Sequence, residues 1–339
     1  MTPRVSVVMS VYNGEKYLQE AVGSILNQTF DDFEFIIIDD GSRDSTPGLL
    51  ARYERCDPRF LIHRFEENHG LSPSLNFGIE SARGEYIARM DADDISLPNR
   101  LQEQVSFMDA NPEIGVCGSW VELIGSKKSE EWRYPENHEA IYARTLFENT
   151  FVHSSVIIRV SLLKKYALAY DENVRYAQDY ELWSRAVALT RFANVDQVLL
   201  QYRIHAQAAG SKHREEQLQV HERIYRRLLQ PFGIVPTKDE LLTHQMLAIY
   251  QSGNTEFLRN ARHWLESLSQ ANRNVHILPT KVLDAQIGLY WSQACGASTS
   301  SLSFVFRQVV SSSLRFQNSI GFHKLWRALL FYFDRITGR

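Results

Sequence analysis

The sequence has few cysteines and no long apolar run, and both absences restrict the kind of protein it encodes. Its 339 residues include three cysteines, Cys56, Cys117 and Cys295, without the spacing of a zinc site or a disulfide framework. No uninterrupted apolar stretch approaches the ~20 residues of a membrane-spanning helix. The short N-terminal apolar run leads into a turn, which indicates a strand and not a signal peptide. We expect a cytoplasmic protein, or one attached peripherally to the cytosolic face of a membrane.

An excess of charge of one sign is also lacking. Lys and Arg number 37 against 40 Asp and Glu, so the formal net charge is −3. Such a balance gives no reason to expect a nucleic acid partner. Hydrophobic residues make up 44 % and charged residues 23 % of the chain, which is typical of a folded globular protein.

Two glycine-rich nucleotide-binding motifs are absent as well. No G-x-G-x-x-G follows the first predicted strand, and no G-x-x-x-x-G-K-[ST] occurs in the sequence. A glycine loop at a helix N-terminus is therefore not expected to hold a diphosphate. If a diphosphate binds, a metal ion is the expected means of holding it.

The first third of the chain alternates strand and helix signals. The sequence contains four apolar runs, VSVVMSV, FEFIIIDD, FLIHRF and EYIARMD. Segments with helical periodicity lie between them, and Asn13 is the expected N-cap of the first helix. Such runs are typical of parallel strands buried on both faces. The order predicts an α/β fold, an open and mostly parallel sheet flanked by helices. After about residue 210 only helical patterns remain, so we expect a domain at 1–210 and an α-helical C-terminal region at 211–339.

Polar residues follow three of these predicted strands, in "SVYNG", "DDGSRD" and "DADD". Ligands of open α/β sheets bind beyond the carboxyl ends of the strands, so these residues should share one edge. Asp91, Asp93 and Asp94 are dense enough to need a cation, and carboxylate oxygens select Mg²⁺ or Mn²⁺. A turn at "DDGS", and a helix cap or a solvated loop at "DADD", are the alternatives that the residues leave open.

The stretches around these strand ends resemble the nucleotide-sugar half of glycosyltransferase family 2. The resemblance is dense over 3–125 and continues more thinly, through "HSSVIIR", "QDYELW" and "YRIH", to about 210. It implies a Rossmann-like fold of the GT-A type, with a donor half at about 1–125 and an acceptor half at about 126–210. It also implies inverting transfer from a nucleotide sugar with Mn²⁺ or Mg²⁺ as cofactor.

The resemblance assigns roles around the donor. Asp93 of the D-x-D motif would bind the metal that bridges the diphosphate, and Asp91 would face the ribose or the water shell of the metal. Asp94 would cap the following helix. Tyr12 would pack on the nucleobase, with Ser10 beside it. The resemblance favours uracil as that base.

The second and third strand loops complete that implied donor site. Asp40 would accept a hydrogen bond from a base N–H, and Asp39 would support its loop. Asn68, Gly70 and Asn76 occupy the second loop of the family, where a donor contact is expected. His205 matches a family position that ligates the metal or touches the diphosphate, and a surface histidine is the alternative.

The acceptor hydroxyl needs a base, and Asp179 is the candidate. Helical periodicity places it on the face of Leu182 and Trp183, whereas Glu181 and Arg185 should form a solvated pair on the opposite face. The family pattern (E/Q)-D-x-x-L-W favours the base, and a helix N-cap is the alternative. His153 stands where the family often has His-Pro-Ser, which implies an acceptor-side role or a loop histidine.

The last residues are basic and aromatic. In "GFHKLWRALLFYFDR" one helical face is apolar, with Phe322, Leu325, Trp326, Leu329 and Phe333. This pattern is typical of an interfacial membrane helix, and a helix docked on the domain or in a dimer is the alternative. A membrane-bound helix would suit a lipid-linked acceptor in surface polysaccharide or lipopolysaccharide assembly.

These expectations define a metal-dependent inverting transferase that moves a sugar from a nucleotide sugar, expected to be a UDP-sugar, to a hydroxyl of a glycan or lipid-linked glycan. A sugar-nucleotide-forming nucleotidyltransferase is the first alternative, but it should carry a glycine-rich basic loop after the first strand. A non-catalytic scaffold that binds sugar nucleotides is the second, and it would be expected to lose Asp93 or Asp179.

Overall fold

The structure, a computed structural model, describes residues 2–125, 130–205, 214–251 and 253–314. The chain divides into two compact units, Met1–Ile141 with Asn149–Val220, and Tyr142–Glu148 with His221–Arg339. The expected boundary at about 210 falls close to this division. Nothing in the sequence pattern indicated that Tyr142–Glu148 belongs to the helical unit. The predicted amphipathic helix at 321–335 lies outside the described residues.

The first unit is built on one sheet of nine strands. The strands are β1 (Val5–Val11), β2 (Phe33–Asp39), β3 (Phe60–Arg64), β4 (Tyr86–Asp91), β5 (Ile95–Ser96), β6 (Ile114–Ile124), β7 (Glu130–Trp132), β8 (Ile157–Arg159) and β9 (Arg191–Arg203). Their order is β3-β2-β1-β4-β8-β6-β9-β5, and β7 pairs with β6. β1 runs parallel to β2 and β4, and β2 to β3. The open, mostly parallel sheet predicted from the sequence is confirmed.

In the described ranges, seven α-helices precede residue 187 and five follow it. They are α1 (Leu18–Leu26), α2 (Thr46–Cys56), α3 (Leu71–Ser81), α4 (Arg100–Ala110), α5 (His138–Thr145), α6 (Val160–Tyr166), α7 (Gln178–Ala186), α8 (Arg214–Leu229), α9 (Lys238–Ala248), α10 (Thr255–Val275), α11 (Thr280–Gly296) and α12 (Leu302–Ser311). Every residue of β2 is buried, as expected for a strand covered on both faces. Among the described residues, no helix combines the length and apolarity that crossing a membrane requires.

The parallel register brings the strand ends together. Ser10 of β1 pairs with Asp91 of β4, and Val11 pairs with Asp39 of β2. Because paired strands lie about 5 Å apart, the polar residues that follow β1, β2 and β4 share one edge of the sheet.

The prediction that Asn13 caps the first helix is wrong. α1 begins at Leu18 after Tyr17, and Asn13 adopts a positive φ of 50°. Its Oδ1 accepts a hydrogen bond of 2.9 Å from the backbone N–H of Arg43, and its own N–H donates to Ser42 Oγ at 2.9 Å. Asn13 therefore ties the loop after β1 to the loop after β2, a use of its side chain that local sequence does not show.

Candidate functional site

The acidic residues after β4 form a compact cluster. Carboxylate oxygens of Asp91, Asp93 and Asp94 all lie within 4.8 Å of one another, and Asp94 is buried while the other two are partly exposed. Oxygen ligands at this spacing are the donor set that Mg²⁺ and Mn²⁺ prefer. The residues present therefore fit the predicted divalent ion.

A buried cation accompanies the cluster. Arg89 of β4 is 2 % exposed, and its guanidinium forms an ion pair with Asp91. Burial acts to lower the pKa of Arg89, but Asp91, Tyr170 and Asp94 together outweigh it and hold that pKa above its ordinary value. Arg89 thus stays charged and offsets part of the repulsion among the aspartates.

Asp94 does not cap a helix, contrary to the prediction. Its Oδ1 accepts a hydrogen bond of 2.8 Å from the backbone N–H of Arg203, and its Oδ2 accepts one from Ser154 Oγ. The residue before α4 is Asn99 instead. Burial, together with Asp91 and Asp93, raises the pKa of Asp94 to about 8. A largely protonated Asp94 therefore joins the end of β4 to β9 and to the His153–Ser155 turn.

The two predicted metal-binding residues lie side by side. His205 Nε2 is 2.8 Å from Asp93 Oδ2, and the His205 ring packs on Tyr17 with centroids 5.3 Å apart. Arg203 Nε donates to the Asp93 carbonyl oxygen at 2.7 Å. The end of β9 therefore fixes the loop that carries Asp93. Metal ligation by Asp93 and His205 stays a prediction.

The predicted base-binding side chains occupy the ends of β1 and β2. Tyr12 is 50 % exposed, so much of its ring is accessible to a planar ligand. Asp39 supports its loop as predicted, because its Oδ1 accepts the Ser42 N–H at 2.9 Å. Asp39 and Asp40 are both buried.

Asp40 organises the second loop. Its carboxylate accepts hydrogen bonds from Asn68 Nδ2 at 2.9 Å, from His69 N at 2.8 Å and from Gly70 N at 2.9 Å. These bonds hold the 68–70 loop, in which Gly70 has a φ of 97°, against the end of β2. The predicted contacts of Asp40 and Asn68 with a nucleotide stay predictions.

Asn76 has a structural use that the sequence did not indicate. Its Nδ2 donates to the Tyr170 carbonyl at 3.0 Å and to Glu172 Oε1 at 3.0 Å. Its Oδ1 accepts the Tyr170 N–H at 2.9 Å. Asn76 therefore joins α3 to the segment before α7 and uses both ends of its amide to do so.

Asp179 lies in the first turn of α7 and does not cap it, since the N-cap is Ala177. The Asp179 side chain is half-buried, and its Oδ2 accepts a hydrogen bond of 2.6 Å from Asn149 Nδ2. Burial raises the pKa of Asp179, although bonds from the Tyr180 backbone and from Asn149 oppose this. A raised pKa suits a carboxylate that accepts a proton.

The predicted solvated pair on α7 is wrong in one respect. Glu181 and Arg185 do pair, at 2.7 Å between Oε2 and Nη2, but Glu181 is only 1 % exposed. Arg185 Nη2 also donates to the Ala169 carbonyl at 2.6 Å. The chain before α7 supplies this contact, so both faces of the helix are covered.

Comparison with known proteins now decides the family. The model of the family "Glycosyl transferase family 2" matches residues 6–167. The O-antigen biosynthesis glycosyltransferase WbnJ of Escherichia coli is 34 % identical over 210 residues, which are 59 % of this chain and 80 % of WbnJ. The chain belongs to glycosyl transferase family 2. It is therefore a glycosyltransferase.

Two solved structures share the fold. Staphylococcus aureus TarS 1–349 in complex with UDP-GlcNAc is 18 % identical, with a TM-score of 0.60 over 97 % of this chain and 92 % of TarS 1–349. Mannosyltransferase PcManGT from Pyrobaculum calidifontis, in complex with GDP-Man and Mn²⁺, is 15 % identical. Its TM-score is 0.53 over 91 % of this chain and 87 % of PcManGT. At these identities the likeness confirms the GT-A type of fold expected of the family.

His153 lies deeper in this glycosyltransferase than a loop histidine would. Its Nε2 is 2.7 Å from the Tyr170 hydroxyl, and burial lowers the pKa of His153 well below its ordinary value. His153 is therefore expected to be neutral where it contacts Tyr170. Its acceptor-side role stays a prediction.

Sequence reasoning missed three residues of this family 2 site, Arg89, Asn149 and Tyr170. Arg89 carried a signal, because a charged residue inside an apolar strand needs a buried partner. Asn149 and Tyr170 carried none, since the contacts that define them come from segments distant in sequence.

Proposed function

We propose that this glycosyltransferase transfers a sugar, with inversion, from a nucleotide sugar to a hydroxyl group of a glycan or lipid-linked glycan. The proposal rests on one observation: the aspartate cluster and Asp179 interact with each other but lie in different environments. The exposed side of the aspartate cluster suits a divalent ion. Asp179 is close enough for its charge to raise the pKa of Asp91, and its own pKa is raised, as suits a base.

The metal would be held by Asp93 and His205, with Mn²⁺ or Mg²⁺ as the ion. When bound, the ion supplies the positive charge that the leaving diphosphate needs. The carboxylate oxygens support this assignment, and so does the Mn²⁺ in the complex of the mannosyltransferase with the same fold. Asp91, held by Arg89, would face the ribose or the water shell of the ion.

Asp179 would act as the base of a direct displacement. The acceptor oxygen forms a bond to the anomeric carbon while the bond from that carbon to the diphosphate breaks. The hydroxyl proton passes to the Asp179 carboxylate, and the diphosphate leaves with the bonding electrons. Asn149 supports this role because its N–H holds one carboxylate oxygen and leaves the other for the proton.

A uridine diphosphate donor is proposed for three reasons. Tyr12 presents an exposed ring for stacking, with Ser10 beside it. Asp40 would accept a base N–H beside the bonds that it accepts from the 68–70 loop. TarS, with the same fold, is known in complex with UDP-GlcNAc.

Surface polysaccharide assembly is the proposed context, since the relative WbnJ acts in O-antigen biosynthesis. A cytoplasmic site, with peripheral attachment through the basic amphipathic helix that the sequence predicts at 321–335, would suit a lipid-linked acceptor. Sedimentation with anionic liposomes of the full chain, against a chain ending near residue 300, tests that attachment. Equal binding of the two chains would contradict it.

The testing experiment is a panel of nucleotide sugars incubated with Mn²⁺, scored by thermal shift and by slow donor hydrolysis. The proposal predicts stabilisation by one donor and Mn²⁺-dependent release of its nucleoside diphosphate. A nucleotidyltransferase would instead release pyrophosphate from a nucleoside triphosphate and a sugar phosphate. A scaffold would be stabilised by a donor that it never hydrolyses.

A further inference from the structure

Asn149 is oriented from both ends of its amide. Its Nδ2 donates to Asp179 Oδ2 at 2.6 Å, and its Oδ1 accepts the Phe151 N–H at 3.3 Å. A carboxylate without a proton only accepts, and a backbone N–H only donates, so this assignment of the amide oxygen and nitrogen is the one that satisfies both partners. The side chain is therefore set to hold one oxygen of Asp179.

The residues just before Asn149 are anchored in the helical unit. Glu148 Oε1 accepts hydrogen bonds from the hydroxyls of Tyr250 and Tyr290, both at 2.8 Å, and from Arg144 Nε at 2.9 Å. Three donors on one carboxylate oxygen make a stronger attachment than a neutral hydrogen bond would.

Aromatic packing adds to that anchor. The ring of Phe147 stacks on the rings of His244 and Tyr290, with centroid distances of 4.6 Å and 4.1 Å. The backbone is held as well, because the carbonyl of Leu146 accepts from His244 Nε2 at 2.8 Å and that of Phe147 from the Tyr225 hydroxyl at 3.1 Å.

Glu148 and Asn149 are consecutive, so the Cα of Asn149 lies ~3.8 Å from an anchored Cα. We propose that Asn149 is a positioning residue for Asp179, and that the bonds and stacking of the segment Tyr142–Glu148 hold the backbone that leads into it. This inference rests on the proposed function, in which Asp179 is the base.

Other charged or titratable groups interact with Asp179 and enter any pH dependence. These are Arg89 and Asp91 on β4, Tyr170 before α7 and Tyr202 on β9. None of them changes in the variants below, so a shifted pH profile reports on Asn149 and its anchor.

The test measures kcat and KM against pH for hydrolysis of the donor that turns over fastest in the nucleotide-sugar panel with Mn²⁺. Asn149→Ala should lower kcat about 10- to 100-fold, with KM little changed, because the base loses its orientation. The acidic limb of the kcat profile should move to higher pH, because the lost N–H had favoured the charged carboxylate. Asn149→Asp keeps the shape and should move the limb further.

The anchor is tested by Tyr250→Phe combined with Tyr290→Phe, which keeps the rings and removes two hydrogen bonds to Glu148. We expect a smaller loss of kcat, about 3- to 10-fold, and a shift of the limb in the same direction. Ser269→Ala is the matched control. It removes a partly buried hydrogen bond of 2.6 Å to Asp284 in the helical unit and should leave kcat and its pH profile unchanged.

The outcomes separate the inference from the function on which it rests. A wild-type kcat and pH profile for Asn149→Ala, beside an inactive Asp179→Asn, would overturn the positioning role and leave the base in place. An unchanged profile for the tyrosine pair would overturn the part assigned to the segment Tyr142–Glu148. Full activity of Asp179→Asn would overturn the base, and the positioning role with it.

Discussion

Arg89 and Asp91 form an ion pair on one strand, with the guanidinium 2 % exposed and the carboxylate at the strand end that carries the acidic cluster. The two side chains are related as i and i+2, so they lie on the same face of β4. The pair places a permanent positive charge beside three aspartates. A protein without a bound metal therefore already has part of the charge balance that the site requires.

Replacing Arg89 should make stability depend on the metal. Arg89→Met leaves Asp91 without its cation. Breaking a fully buried pair costs about 3–5 kcal/mol of unfolding free energy, and the loss here should be smaller because Asp91 is partly exposed. Mn²⁺ should restore part of that loss, whereas chelation should not. Urea unfolding in EDTA and in Mn²⁺ measures both effects.

Arg185→Met is the matched control for that experiment, since Arg185 also pairs with a buried acid, Glu181, but away from the cluster. Its loss of stability should be the same in EDTA and in Mn²⁺. If the stability of Arg89→Met were also the same in EDTA and in Mn²⁺, the charge balance proposed for the site would be contradicted.

Asp93→Ala should weaken the binding of UDP in the presence of Mn²⁺, by at least about tenfold, because a direct metal ligand is lost. Binding of UDP without metal should change little. Isothermal titration with and without Mn²⁺ separates the two. Unchanged affinity in Mn²⁺ would refute ligation by Asp93.

The raised pKa of Asp94 should make the free energy of unfolding of the metal-free protein depend on pH. Its pKa is raised to about 8, so the folded protein binds a proton that the unfolded chain releases near pH 4. The stability that this proton contributes is complete below pH 4 and is lost as pH rises towards 8, with a slope of at most about 1.4 kcal/mol per pH unit. Urea unfolding in EDTA between pH 4 and 8 measures the slope.

Asp94→Asn should flatten this dependence, because the amide has no proton to lose and can still accept from Arg203 N–H. A slope of wild-type size in the variant would show that another group is responsible.

The sheet was predictable because its strands follow from local periodicity, and so was the burial of Leu182 and Trp183 on α7, although that of Glu181 was not. β2 and β4 read as apolar runs, and Leu182 and Trp183 are buried beside Asp179 as the helical spacing indicated. These patterns repeat within a few residues, so one segment of sequence is sufficient to identify them.

The wrong predictions share one cause, which is contacts between residues that are distant in the sequence. Asp94 was taken for a cap and Glu181 for a solvated residue, because the groups that bury them are far away in sequence. Arg203 N–H and Ser154 Oγ donate to Asp94, and Arg185, the partner of Glu181, donates to the carbonyl of Ala169. The anchor at Tyr142–Glu148 was missed for the same reason, since its partners lie in helices more than 75 residues later.

Tyr12→Ala should weaken UDP binding, because base stacking on an aromatic ring contributes about 1–3 kcal/mol. Tyr12→Phe keeps the ring and should bind as the wild type does. Titration of UDP with Mn²⁺ into the three proteins compares them. Equal affinity of the alanine variant would remove Tyr12 from the base site.

The central claim is that Asp179 takes the proton of the acceptor while a separate acidic site holds the donor. The most direct measurement is the kcat of Asp179→Asn for donor turnover, made beside its affinity for UDP with Mn²⁺. The account predicts a loss of about 10²- to 10⁴-fold in kcat with affinity nearly intact. Turnover at the wild-type rate would contradict it.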